Sequence, residues 1–481
     1  MRNLVWGRMA LVSLGLVAFA PSASSQLFRD DPFKLKASVA PEPGVRWESR
    51  KPLPQIAQPE SAPLPASAAA FTLAELTEYA LRNNPRARQA WFGARAAAAG
   101  VGIEQADLFP QITGVLSGQR VRPVSATTGV PAEWQNRYGP SVSLSYILFD
   151  FGARANQIEA AEYRLLAANL NQNRVLQDIV FQVEQAYYRL LGLDLLVQVN
   201  EVGLQNLRTS LDAAQRRRES GLATVADVYR AETQVAQAQL NLTRSRGEFE
   251  KARGLLAAAV GLPVNRVLRV QTFSELPEVR QMSESVTEML DRARSARPDL
   301  VAAEAQARAA RSTAQFASKA GLPSVEIAGI GGRTFFTDER PVVNNYSLGV
   351  NIRIPLFDGF REKYSSRQAQ ALAEQAEANR DIVYRQTELD VWQAYYDVET
   401  AAGSLGSTEA QVKSAEQTAQ ATLARYRAGF GSILDLITAQ QDESNARVQR
   451  IQSYLDWYTA LARLQFSTGF NDIMAAAAEK K

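Results

Sequence analysis

Between Ser141 and Leu148 the chain alternates, with Ser141, Ser143 and Ser145 small and polar and Val142, Leu144, Tyr146 and Leu148 apolar. A period of two predicts a strand with one apolar face. After Gly152 that period stops with no turn segment to mark the change. From there to Ser220 the chain has no proline and is rich in Ala, Leu, Gln, Arg and Glu, which predicts a single helix over 152–220. The distal half of this helix carries Val183, Ala186, Leu190, Leu193, Val197, Asn200, Leu204, Leu207, Leu211 and Ala214 at alternating spacings of three and four, the seam of a left-handed coiled coil. A returning helix over 225–260 supplies the matching seam, from Val228 through Leu242 to Leu256.

The pattern occurs twice. Pro85 and Pro110 recur as Pro298 and Pro323, displaced by 213, and later marks recur at a displacement of 208. "LFDFG" at Leu148 returns as "LFDGF" at Leu356, and "QAYY" at Gln185 returns at Gln393. The seam itself lands on Val391, Ala394, Val398, Ala401 and Leu405, and even its polar rung repeats, Asn200 becoming Thr408. The difference in displacement falls between Pro110 and Leu148, in a loop between strands, where a length change disturbs packing least.

The first repeat is therefore expected over 71–262, with strands at about 110–122 and 138–150 and helices at 152–220 and 225–260. The second is expected over 284–469, with strands at about 323–336 and 345–357 and helices at 359–428 and 432–466. In each, a short helix and a proline-opened helix precede the strands. Segment 263–283 reads as a linker and 470–481 as a tail.

At the N-terminus, Arg2 and Arg8 precede "MALVSLGLVAFA", and Ala23 and Ser25 are small residues before Gln26, so 1–25 reads as a cleaved export signal. Segment 26–70 is dense in Pro, Ser and Ala without periodicity and reads as an extended tail. Composition then removes most chemistry. The 481 residues include no Cys and no His, which excludes thiol nucleophiles, disulfides and His-based catalysis, and a net charge of +3 gives no reason to expect nucleic acid. No paired-acid, Gly-x-Ser-x-Gly or phosphate-loop motif stands out, so neither an enzyme nor a cofactor is expected.

No later stretch approaches the length of a spanning helix, but spanning strands leave a weaker mark. In "NYSLGVNIRIPLF" one face reads Tyr346, Leu348, Val350, Ile352 and Ile354, and the other Ser347, Gly349, Asn351 and Arg353. Trp134, Tyr138, Phe335, Phe336 and Tyr346 stand near strand and loop ends, as in an interfacial girdle. Four strands do not close a barrel, and lipid tolerates no open sheet edge.

With its tandem halves, "LFD" strand exits and glycine tips followed by an acid ("GLATVAD", "GFGSILD"), the chain from Phe71 to Gly469 resembles the TolC-like outer-membrane factors of Gram-negative export systems. The resemblance implies a mixed α+β membrane protein in which three chains build a twelve-stranded β-barrel that continues as a long periplasmic α-helical barrel. It implies a passive exit duct of a tripartite efflux pump or type I secretion system, with a periplasmic adaptor, an inner-membrane pump of RND or ABC type and outer-membrane lipid as partners. By the same resemblance Asp435 lines the periplasmic constriction, with Asp227 at the equivalent place in the first repeat. A carboxylate ring favours cations, although an acid in a helix's first turn also complements the helix dipole.

Tyr426 matches a tyrosine of the family's closing network, but Thr438 and Gly431 stand where the family's second acid and arginine would be. Arg425, Arg427 and Arg230 are then the candidate donors, or else solvated surface arginines. Gly221, Leu222, Ala223, Thr224, Gly429, Phe430, Gly431 and Ser432 form the expected adaptor surface, and the two leading glycines also suit helix ends. A purely structural periplasmic coiled-coil or adhesin-like stalk is the rival reading, though it would not need two duplicated amphipathic hairpins.

Overall fold

A computed structural model describes residues 70–124, 129–131, 133–266, 268–271, 284–337 and 340–469, with Ala40 and Pro43. The expected signal, nearly all of the N-terminal tail, most of the linker and the C-terminal tail lie outside the described residues. The chain divides after Glu60, and the architecture below belongs to the unit that begins at Ser61.

The elements are α1 (Leu73–Asn83), α2 (Pro85–Ala106), β1 (Gln111–Val121), β2 (Gln135–Phe149), α3 (Ala153–Glu219) and α4 (Val225–Val260), followed by α5 (Val286–Ala296), α6 (Pro298–Lys319), β3 (Ser324–Phe336), β4 (Val343–Arg353), α7 (Arg361–Arg427) and α8 (Ile433–Ser467). Strand β4 stops earlier than its alternation suggests, because Pro355 has no N–H to continue the ladder. Strand β2 starts earlier, because Gln135 pairs with Val121 across the hairpin.

The unit is four elements wide along its length. The antiparallel sheet runs β1-β2-β3-β4, so β1 and β4 are edges. Next to the sheet, α2 packs on α3, α3 on α6 and α6 on α7; farther away, α4 packs on α3, α3 on α8 and α8 on α7. Helices α4 and α2 thus share one column and α8 and α6 another. The Asn84 side chain joins the first column, accepting from the Arg86 N–H at 2.9 Å and donating to the Ala259 carbonyl at 3.0 Å. In the second column the equivalent residue is Arg297, 3 % exposed and paired with Asp299 and Asp390.

Every residue of the coiled-coil seam on α3, and each counterpart on α7, is at least partly buried. Val183, Leu190, Leu204, Val391, Val398 and Leu405 are fully inside. Thr408 does not act as an interhelical rung, because its hydroxyl donates to its own helix at the Ser404 and Leu405 carbonyls. Between α3 and α8 the rings of Phe181 and Phe466 stack at 4.6 Å, and those of Tyr188 and Tyr458 at 4.6 Å. Glu184 lies between these two layers on α3, buried, and its burial pushes the carboxyl up to about 7.

A strand becomes a helix through two successive left-handed residues. Phe151 and Gly152 have φ of 54° and 79°, and Gly359 and Phe360 have 72° and 66°. A phenylalanine in this region costs about 1–2 kcal/mol, and an aspartate offsets part of that. Asp150 accepts from the N–H groups of Gly152 and Arg154 at 3.1 and 2.9 Å, and Asp358 accepts from that of Glu362 at 2.7 Å. The aspartate of each "LFD" therefore caps the long helix that follows.

Candidate functional site

The far ends of the α3–α4 and α7–α8 hairpins meet at one joint. Ala214, Val228, Ala231, Tyr426, Ile433, Leu436 and Ile437 form one buried cluster there. Each long helix ends on a left-handed glycine, Gly221 at φ 74° and Gly429 at φ 87°. Beyond these glycines the Leu222 N–H reaches the Arg217 carbonyl at 2.7 Å and the Phe430 N–H reaches that of Arg425 at 3.0 Å, a Schellman-type closure. Leu222 and Phe430 are then held outward, 69 % and 81 % exposed. Gly431 has a separate reason to lack a side chain, since a Cβ there would sit 3.1 Å from the Tyr426 nitrogen.

Asp227 and Asp435 occupy the same place in two capping boxes. The Thr224 and Ser432 hydroxyls accept from the Asp227 and Asp435 N–H groups, and the carboxylates reach back to the N-cap nitrogens. The two boxes differ in tightness. The Asp227 carboxylate takes the Thr224 N–H at 2.9 Å and its hydroxyl at 2.8 Å, whereas Asp435 meets the Ser432 N–H at 3.4 Å. The Thr224 bonds hold the Asp227 carboxyl below the usual carboxylate range, and the fields of Arg230 and Arg217 act in the same direction. Asp435 is the more exposed and the less committed of the pair.

Tyr426 is 3 % exposed, and its hydroxyl has no partner among the described residues. Burial pushes its phenol up, Arg217 opposes this and Asp227 adds to it. The cation that meets Tyr426 is thus Arg217, whose Nη1–H donates to the Tyr426 carbonyl at 2.6 Å while the guanidinium lies 4.8 Å from the ring centroid. The side chains of Arg425, Arg427 and Arg230 form no hydrogen bond or ion pair among the described residues and all three residues are exposed, so the structure does not bring these guanidinium groups to Tyr426. Arg217 was hidden in the run Arg216-Arg217-Arg218, which sequence alone reads as cations suited to a helix C-terminus.

At the opposite end the sheet presents two unlike faces. Ile112, Leu116, Val142, Leu144, Tyr146, Ile327, Tyr346, Leu348, Val350 and Ile352 share one, and Thr113, Ser141, Ser143, Ser145, Ala328, Gly332, Ser347, Gly349 and Asn351 share the other, interrupted by Val115, Ile147, Ile330 and Val343. Leu116, Tyr346 and Leu348 are 82 %, 80 % and 75 % exposed. Phe336 aligns with Arg137 on the polar face, and so leaves the girdle that its position near a strand end suggested. No described helix is long and apolar enough to cross a membrane.

Residues 76–262 and 289–470 match the family described as outer membrane efflux protein. The chain is 28% identical over 386 residues to Protein CyaE of Bordetella pertussis, covering 79% of this chain and 80% of that one. It is 25% identical over 416 residues to the alkaline protease secretion protein AprF of Pseudomonas aeruginosa, covering 84% and 86%. Among solved structures, the outer-membrane channel OprN superposes with a TM-score of 0.75 at 23% identity, covering 83% of this chain and 90% of that one. A mostly helical chain with one small sheet thus agrees with the resemblance drawn from the residues, and the chain belongs to the outer membrane efflux protein family.

Proposed function

We propose that three copies of this chain close into one outer-membrane duct, with the sheets forming a twelve-stranded barrel and the helical columns a tunnel through the periplasm. The observation that carries this reading is the four-stranded sheet, one face of which is lined by exposed apolar residues and whose β1 and β4 edges are open. Lipid would leave those edge N–H and C=O groups unsatisfied unless β4 of one copy pairs with β1 of the next. The helices have the same need at the same width, because the α2–α4 column and α7 are unpartnered on their outer sides. On α7 the apolar Ile382, Leu389, Trp392 and Tyr396 line up at helical spacing and are exposed. This arrangement favours a closed heterologous ring over the coiled-coil stalk reading.

The duct serves efflux or type I secretion from the outer membrane, and its relatives include proteins named for each. On this reading the exposed tips at Leu222 and Phe430 receive a periplasmic adaptor, which links the duct to an inner-membrane pump. Asp435 faces the narrow mouth, and the contact of Arg217 with Tyr426 holds it shut. The decisive measurement is the mass of the purified protein in detergent by light scattering, together with its fractionation. A trimer in outer membranes is expected, and a soluble monomer would sink the reading.

A further inference from the structure

The loop end of the sheet carries charge on its outward face, where an apolar band should continue. Arg120 aligns with Asn136 and Arg333 with Asn344, on the same strand face as Leu116, Val142 and Leu348. Both arginines are exposed, and neither meets a carboxylate among the described residues. Glu133, the described acid of the β1–β2 turn, pairs with neither. Instead each guanidinium lies against a ring, Arg120 at 5.3 Å from Trp134 and Arg333 at 5.4 Å from Phe335, and Phe335 stacks on Tyr138 at 5.6 Å.

Depth explains why such charges are tolerated there. The outward residues of β4 run from Asn344 to Ile352, and at about 3.4 Å per residue and a tilt of about 40° that segment rises about 21 Å, close to the height of a barrel's apolar band. An outward arginine costs about 2–4 kcal/mol at the bilayer midplane and almost nothing at its edge, so Arg333 and Arg120 mark the headgroup level. Arg353, toward the helical end, is on the other face and lies 3.8 Å from Glu326.

From these observations we infer that Arg120 and Arg333, backed by Trp134, Tyr138 and Phe335, form a belt that binds the phosphate groups of lipids in the outer leaflet. A ring contact leaves the guanidinium edge free, and that edge matches phosphate in a bidentate fashion. The aromatic rings would lie along the first carbons of the acyl chains. The inference rests on the reading of the sheet as a membrane barrel.

The test compares wild type with Arg120→Gln/Arg333→Gln and Arg120→Lys/Arg333→Lys in detergent. Bound lipid is counted by native mass spectrometry after titration with bis-phosphorylated lipid A or with the dephosphorylated glycolipid of the same chains. Wild type should hold the phosphorylated lipid about tenfold more tightly than the double Gln variant, the value of one charge-assisted hydrogen bond, with the Lys variant between them. The dephosphorylated lipid should bind all three alike, and millimolar inorganic phosphate should fail to compete. Equal retention by wild type and the Gln variant, or equal binding of both lipids by wild type, overturns the belt. Arg120→Gln alone, at the end of an edge strand, keeps the test available if the double variant does not assemble. Failure of the wild type to fractionate with outer membranes would instead remove the barrel reading, which separates the two outcomes.

Discussion

Arg217 at the end of α3 sits on Tyr426 at the end of α7, bonded to its carbonyl at 2.6 Å and spread over its ring at 4.8 Å. One side chain thereby ties the end of one helical hairpin to the end of the other. Arg217→Gln removes a hydrogen bond from a charged donor, worth about 1.5–3 kcal/mol, and the cation over the ring. Single-channel conductance in a planar bilayer should rise, whereas Arg425→Gln and Arg427→Gln should leave it near wild type. No change in the Arg217 variant would detach this contact from closure.

The two acids at the mouth should behave differently because their capping boxes differ. Asp435→Ala should reduce cation preference, read as reversal potential in a salt gradient, and weaken block by a trivalent cation added from the periplasmic side. Asp227 is committed to Thr224, so Asp227→Ala should mainly cost stability, about 1 kcal/mol as for the loss of a helix cap. Unchanged selectivity and block in the Asp435 variant would place that residue away from the constriction.

Leu204 is 4 % exposed in the seam of α3. An aspartate there is an unpaired charge in an apolar layer, with a desolvation cost that exceeds the usual margin of a single contact. Leu204→Asp should abolish the heat-resistant oligomer on gels, and Leu204→Met should retain it. Normal oligomer yield from the aspartate variant would show that this seam does not hold the tunnel.

Glu184 supplies a pH dependence with a defined sign. Burial raises its carboxyl to about 7, so the folded state favours the neutral acid, and stability falls as pH climbs from the unfolded value through the folded one. The penalty approaches about 3 kcal/mol above that range. Glu184→Gln should therefore raise the apparent Tm at pH 8 and change little at pH 4.5. A variant as pH-sensitive as wild type between those values would assign the loss to other groups.

How much of this could be read from the residues depended on whether the signal was periodic. Alternation at Ser141–Leu148 and the three-and-four spacing from Val183 to Ala214 gave the sheet face and the coiled-coil seam, because both periods follow directly from backbone geometry. Thr224-x-x-Asp227 and Ser432-x-x-Asp435 also spell helix starts. Arg217 was not legible. Neighbouring residues on a helix point about 100° apart, so which of Arg216, Arg217 and Arg218 meets Tyr426 depends on how α3 is rotated against α7. Glu184 looked like one more polar helix position until α8 was laid over it. The column joints at Asn84 and Arg297 likewise depend on which helix end stacks on which, and no local pattern encodes that.

The paired left-handed residues at Phe151–Gly152 and Gly359–Phe360 have a mechanical consequence. Helix α3 has 67 residues, as does α7, and at 1.5 Å per residue each is a lever arm of about 100 Å pivoting where the strand ends. One degree of rotation at that pivot sweeps the far end through about 1.7 Å, so a few degrees would be enough to dilate or choke the passage there. A hinge of several free dihedrals would pass thermal noise to the mouth at full gain. The bonds from Asp150 and Asp358 to the N–H groups that open each long helix instead stiffen the bearing, so that the aperture responds to forces applied at the tips and very little to motion in the membrane.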